Sequence, residues 1–203
     1  MISALTKNKS KSVDYNDDFF CELPFTDVTY LEYLKTENGG YYFNNSLHFF
    51  GLSIINFNHS IDFINKKIKS LYGDLIKDYI VIGEDVFGNL FCVDNNNIYY
   101  LFNIETGDFD SIENSFSSFL NTILEDIDYY TGYNFIELFN DYNIELLGNG
   151  FRFCPKYPFV LGGDYDLDNL VLKSNGENLD FSSSIYHQIK DLPDGSEFNI
   201  KIL

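Results

Sequence analysis

The chain has 203 residues, of which 45% are hydrophobic and 22% charged, enough to bury one sizeable core and a small second module. A disordered tail or a fibre is excluded. Its 31 acidic residues face 13 basic ones, for a formal net charge of -18. Nucleic-acid affinity is drawn from Lys and Arg that displace counterions, so this balance argues against binding a phosphate backbone, and an anionic membrane surface would repel the chain as well.

The three cysteines, Cys21, Cys92 and Cys154, are far apart and form no CxxC pair, which argues against a disulfide framework or a zinc site and fits a reducing compartment. Met1 to Leu5 is apolar but is followed, not preceded, by Lys7, Lys9 and Lys11, the wrong order for a secretory signal. Leu47 to Phe57 is interrupted by polar residues and falls short of the ~18 residues of a membrane span. The expectation is a soluble, cytoplasmic protein.

Residues 1–18 are rich in Lys, Ser, Asn and Asp without apolar periodicity and read as a loose leader. Thr26 is the expected N-cap of a first helix, with Phe25 and Tyr30 placed for a hydrophobic staple, Leu31 and Leu34 continuing the apolar face, and Asn38-Gly39-Gly40 ending it. Tyr41–Phe43 and Leu47–Phe50 read as strands. A second helix starts at Ser60, with Ile61, Ile64, Ile68 and Leu71 on one face and Gly73 closing it. Tyr79–Ile82, Leu90–Val93, Ile98–Phe102 and Phe109–Ile112 then form an antiparallel meander between Gly, Asp and Asn turns.

Asn114 or Ser115 caps a helix through Phe116, Phe119, Leu120, Ile123, Leu124 and Ile127. A further helix is expected over Tyr133–Leu147, followed by an irregular connection marked by Pro155, Pro158, Gly162 and Gly163. The chain should finish with a strand at Leu170–Leu172, a helix from Ser182 to about Lys190 and a last strand at Phe198–Leu203. The order of elements is α+β. Residues 19–130 are expected to form a single domain, an antiparallel sheet flanked by helices, and residues 131–203 a C-terminal α/β extension packed on it.

Motifs for chemistry are incomplete. Gly83 to Asn89 has the glycine spacing of a phosphate loop, but Asn89 replaces the lysine, and Glu84 and Asp85 would repel phosphate; a turn between strands is the better reading. Asp164, Asp166 and Asp168 alternate as in a calcium loop, yet Asn169 and Asn175 stand where Gly and Glu are needed, so a solvated turn is the default. His48, His59 and His187 fall in no zinc motif, and Ser182-Ser183-Ser184 reads as a helix N-cap region. No catalytic residue, metal or cofactor is assigned.

The acids are unevenly spread. From Asp78 to Phe151 there are 14 acidic residues and no Lys or Arg. In a continuous Tyr133–Leu147 helix, Glu137, Asp141 and Glu145 would stack at i, i+4 and i+8, each like-charge pair costing roughly 0.2–0.5 kcal/mol. Tyr129, Tyr130, Tyr133 and Tyr142 lie near them in sequence, and Tyr is enriched at interface hot spots. Two readings stay open: an acidic ridge for a basic protein, or tyrosines in the core beneath solvated acids.

Leu23-Pro24, the helix carrying Tyr33-Leu34, Asn38-Gly39-Gly40, the segment from Ile80 through Gly83-Glu84-Asp85-Val86-Phe87-Gly88-Asn89 to Phe91, then Ile98-Tyr99 and Ser115-Phe116-Ser117-Ser118-Phe119-Leu120 follow one another in an order that resembles the SUKH superfamily over about residues 19–130. Trp, frequent in such proteins, is absent here. The resemblance implies an α+β domain without enzymatic activity, and for bacterial members an immunity protein of a polymorphic toxin system. The resemblance implies as partner a cognate toxin domain, often a nuclease, and the acidity here fits a basic one, with Glu105, Asp108, Asp110, Tyr130, Tyr133, Glu137, Asp141 and Glu145 as candidate contacts. A general protein-interaction scaffold and a carboxylate-based or metal-assisted hydrolase are the alternatives.

Overall fold

The computed structural model describes residues 2–12, 26–52, 59–139, 141–193 and 195–196. Seven antiparallel strands run side by side in sequence order: β1 (Lys9–Lys11), β2 (Gly40–Tyr42), β3 (Leu47–Phe49), β4 (Tyr79–Glu84), β5 (Leu90–Asp94), β6 (Tyr99–Phe102) and β7 (Phe109–Glu113). Helices α1 (Ile2–Lys7), α2 (Val28–Thr36), α3 (Ile61–Tyr72) and α4 (Phe116–Glu125) accompany them. The α+β class with an antiparallel sheet flanked by helices is therefore present as expected.

Local chemistry explains most boundaries. Asp27, not Thr26, caps α2, its carboxylate accepting from the amides of Thr29 and Tyr30, while Phe25 lies outside the described residues. Ser115 caps α4 by accepting from the Ser118 amide. In α3 the residues Ile61, Ile64, Ile68 and Tyr72 are buried, the stripe that a 3.6-residue period predicts. Gly39 has φ +83°, and a Cβ there would lie 2.6 Å from the Phe49 carbonyl oxygen, so no side chain fits. Its neighbour Asn38 exchanges two hydrogen bonds with the backbone of Leu52, tying the turn that precedes β2 to the chain that follows β3.

The main core is aromatic. Tyr33, Phe49, Phe91, Tyr99, Phe116 and Phe119 are buried together, with Tyr99 stacked on Phe119 at 4.9 Å between centroids and Phe116 4.9 Å from Tyr30. Offset and edge-on pairs of this kind add about 0.5–1.5 kcal/mol each beyond the area they bury.

Within the expected loose leader of residues 1–18, the stretch from Ile2 to Lys11 is ordered into elements, while residues 13–18 lie outside the described residues. Ile2–Lys7 is helical and buries Leu5, and Lys9 and Lys11 pair with Tyr42 and Tyr41 as the first edge of the sheet. One apolar anchor and main-chain pairing to an open edge order a segment whose composition alone looks solvated.

After α5 (Ile127–Thr131) the expected helix from Tyr133 to Leu147 is interrupted: α6 (Tyr133–Ile136) ends in a turn and α7 (Asp141–Leu147) starts afresh. The break lets Phe139 stack on Phe153 at 4.0 Å while Ile136 and Leu147 enter the same small core. Residues Phe151–Pro155, expected to be irregular at Pro155, form β8, which pairs antiparallel with β9 (Leu170–Ser174). Helix α8 spans Asn175–Ile189, beginning well before Ser182, because Ser174 and Glu177 form a reciprocal capping box. Ser182 and Ser183 are thus buried mid-helix residues and not caps. The expected strand at Phe198–Leu203 lies outside the described residues.

The extension is seated on the turn between β4 and β5. Asp85 accepts from the amides of Phe87 and Asn89 and from the Asn89 side chain. This turn donates its Val86 amide to Thr131 and accepts from Phe153 of β8. Asn178 of α8 donates to the Phe87 carbonyl at 2.7 Å. A Cβ on Gly88, at φ +87°, would meet that Asn178 amide at 2.5 Å. The Gly-Glu-Asp-Val-Phe-Gly-Asn motif is therefore the joint on which the C-terminal region packs.

Candidate protein-binding surface

Beside that joint the fold buries a polar network. Glu84, His48 and Arg152 are almost wholly shielded from solvent. Arg152 Nη2 lies 2.8 Å from Glu84 Oε1, and His48 Nδ1 donates to the same oxygen at 2.8 Å. Arg152 Nη1 also donates to the carbonyls of Leu147 and Phe151. The Tyr41 ring stacks on His48 at 4.1 Å, and its hydroxyl is 2.9 Å from His59 Nδ1.

Burial, helped by the nearby Arg152 charge, holds His48 well below the ordinary histidine range. Burial, with His48 next in importance, lowers His59 to about 3. Burial raises Glu84, and Arg152 opposes that rise. A carboxylate, an imidazole and a guanidinium together invite a catalytic reading, but here they are sealed inside the protein and tie β3, β4 and β8 to one another.

The closing residue of the long base-free run is this same Arg152. Its charge is spent on Glu84, so it offsets none of the acids on the surface. Asp85 is also buried, and burial raises its pKa to about 7 against the opposing hydrogen bonds from Asn89 and Phe87. Glu105 is only 4% exposed and accepts from the Val160 amide at 2.8 Å; burial raises its pKa too. Glu105 Oε2 is thus a tether for the loop of the extension, and its burial leaves this side chain no direct, exposed contact to offer a partner.

The other candidates scatter. Asp108, Asp110, Glu137 and Glu145 are exposed. Glu137 caps the C-terminus of α6 while Glu145 sits on α7, so these two acids are not stacked on one continuous helix, and the Asp141 side chain lies outside the described residues. Tyr130 packs on the main core and Tyr133 on the small one, both half-buried; the tyrosines thus divide between the two readings left open.

An open cleft of about 530 Å³ lies between β6–β7 and the α5–α6 corner. Its acids are Asp110 from β7, Asp128 from α5 and the buried Asp85. Its walls are Phe87, Phe135, Tyr129 and Tyr165, the last two 69% and 52% exposed. Among the described residues no Lys or Arg lines it. Of the residues expected from sequence, Asp110 alone lines this cleft. Asp128 and Tyr129 are visible in sequence as members of an acid run and a tyrosine group, but nothing there places Tyr165 opposite them.

Among the described residues no group of three or more His, Cys, Asp or Glu is gathered as a metal ion would require. Asp164, Asp166 and Asp168 are exposed, and Asp166 accepts from the Asn169 amide within its own turn. Cys92 and Cys154 are free and buried, burial pushing the Cys154 thiol up to about 12, which leaves both unreactive; Cys21 lies outside the described residues. No described helix is long and apolar enough to cross a membrane.

An antiparallel sheet with this order of helices, holding its second layer on a Gly-x-Asp-x-Phe-Gly-Asn turn, is an α+β fold of the SUKH type. The chain belongs to the SMI1 / KNR4 family (SUKH-1), whose pattern matches residues 18–122. The crystal structure of Atu4351 from Agrobacterium tumefaciens has a similar fold, with a TM-score of 0.51 and 16% identity, over 89% of this chain and 86% of that one. That coverage exceeds the family match, so the likeness of fold continues into the flanking regions. No curated protein sequence matches the chain.

Proposed function

We propose that this protein is a cytoplasmic, non-enzymatic immunity protein that binds and neutralises a cognate basic toxin domain, a nuclease as in many such systems, through one-to-one occlusion. Membership of the SUKH-1 family supports an immunity or interaction role. The observation that carries the reading is the unbalanced acidity of residues 78–151, whose closing base, Arg152, is buried against Glu84. A nuclease must present a basic surface to hold its own substrate. Opposed fields of this kind speed encounter towards roughly 10⁸–10⁹ M⁻¹s⁻¹ at low salt, and rapid capture is what protection from a potent toxin demands.

Co-expression with a toxin encoded beside this gene tests the proposal. Cells should survive, and the two proteins should co-purify at low salt and separate more readily as salt rises. Equal killing with and without this protein, with no complex recovered, would overturn it.

A further inference from the structure

The aromatic cleft at the joint between sheet and extension has a chemistry more specific than general acidity. We infer that it receives an arginine side chain from the protein partner; this rests on the reading of a basic partner given above.

The walls and the acids suit a guanidinium in different ways. Tyr165 is stacked on Phe159 at 3.8 Å with ring planes 3° apart, and Phe87 and Phe135 stand around it at 5.3 and 6.1 Å. The Tyr165 ring is therefore fixed by neighbours yet half exposed. A planar, weakly hydrated guanidinium stacks on such surfaces, whereas an ammonium, strongly hydrated, gains less. Asp110 and Asp128 approach from separate elements, and neither has an ion-pair partner among the described residues. They are free to accept the in-plane N–H groups that stacking leaves exposed.

A second observation lies deeper. A narrow pocket of about 20 Å³ shares Phe87, Asn89, Asn103 and Tyr165 with the cleft and is lined by Glu105 and Ser182. Glu105 Oε1 and Ser182 Oγ are buried without a hydrogen-bond partner. Buried carboxylate oxygens without a donor are costly, and this pocket is the size of one water molecule. A guanidinium seated against Tyr165 would supply positive charge above it, with a single water completing the contact to Glu105.

The test uses the full chain and a capped Gly-Arg-Gly tripeptide, with the citrulline analogue as its uncharged counterpart, followed by amide NMR. The arginine peptide should move the resonances of Asp110, Asp128, Tyr129 and Tyr165, the citrulline peptide should bind at least tenfold more weakly, and the D110N/D128N variant should lose the response by a similar factor. Shifts spread over the whole acidic surface, an equal response to citrulline, or an unchanged response in the variant would each overturn the assignment. The outcome is separable from the toxin experiment. If the toxin is captured equally by the wild type and by D110N/D128N, the cleft assignment fails while the immunity reading stands. If the tripeptide localises to the cleft and no toxin is bound, the cleft stands and the immunity reading fails.

Discussion

Glu84 and Asp128 come from the same base-free run of sequence, and the fold treats them in opposite ways. Glu84 ends β4 and is drawn under the extension, where Arg152 and His48 share one of its oxygens. Asp128 sits on the first turn of α5 at the mouth of a cleft and has no ion-pair partner among the described residues. Removing two charges from water costs several kcal/mol per ion before their attraction returns it, so the Glu84–Arg152 pair fixes how the two layers meet more than it adds stability. An exposed, unpaired carboxylate costs little to keep and can be offered to a partner. Net charge alone therefore overstates what is available for recognition, and the distribution of burial decides which acids face outward.

The comparison is tested most severely at Arg152. Replacing it in R152M leaves Glu84 buried without its cation, and unfolding in urea should show a loss of about 3–5 kcal/mol. The double variant E84Q/R152M should recover part of that loss, since no unpaired charge then remains. A single variant within about 1 kcal/mol of wild type would show that the seam is not held by this pair.

The same seam shows where sequence is legible and where it is not. Elements set by local chemistry can be read directly: the Ile61–Ile68 stripe, the Asn38-Gly39-Gly40 stop, the meander from Tyr79 to Glu113 and the Ser115 cap all occur. Elements set by distant packing are missed. Tyr133–Leu147 carries a helical pattern throughout, and only the arrival of Phe153 explains why the chain turns after Ile136. Lys9–Lys11 becomes a strand because β2 offers an open edge. Arg152 looks like an ordinary base closing an acidic run, with nothing nearby to reveal that Glu84 is its partner. The cleft follows the same rule: Asp110 belongs to a readable strand, whereas Tyr165 reaches it from a loop of the extension.

Next in size is a pH effect confined to the buried side. His59 is lowered to about 3, by burial first and then by His48, with Arg152 and Lys11 adding to the fall and Glu84 opposing it. Between about pH 3 and 6.5 the unfolded chain carries a proton on this residue that the folded chain lacks. Stability therefore falls as pH drops through that window, by up to about 1.4 kcal/mol per pH unit for this one group. The H59Q variant should show a shallower slope than wild type in urea titrations at pH 4, 5 and 6. Asp85, raised to about 7, contributes a slope of the opposite sign, but equally in both chains. Parallel slopes would mean that His59 gains a proton in the folded state.

A smaller effect separates the extension from the sheet. Ser174→Ala removes the capping box at the start of α8 and should cost about 1 kcal/mol. Because α8 packs on α3 and on β8–β9, hydrogen exchange should quicken in its first turn more than in β4 or β5. Equal acceleration throughout would indicate that α8 opens only with the whole fold.

The smallest expected effect lies on the exposed side. D110N and D128N remove charges that no described residue pairs with, and each should change unfolding stability by no more than about 0.5 kcal/mol in either direction. Relief of repulsion among neighbouring acids would make the change slightly favourable, and added salt should erase it. A loss above about 1 kcal/mol would show that these carboxylates hold the fold as Glu84 does. Near-neutral stability has a practical consequence: with folding untouched, any loss of partner binding in D110N/D128N belongs to the cleft, whereas the same loss in R152M could follow from a displaced extension.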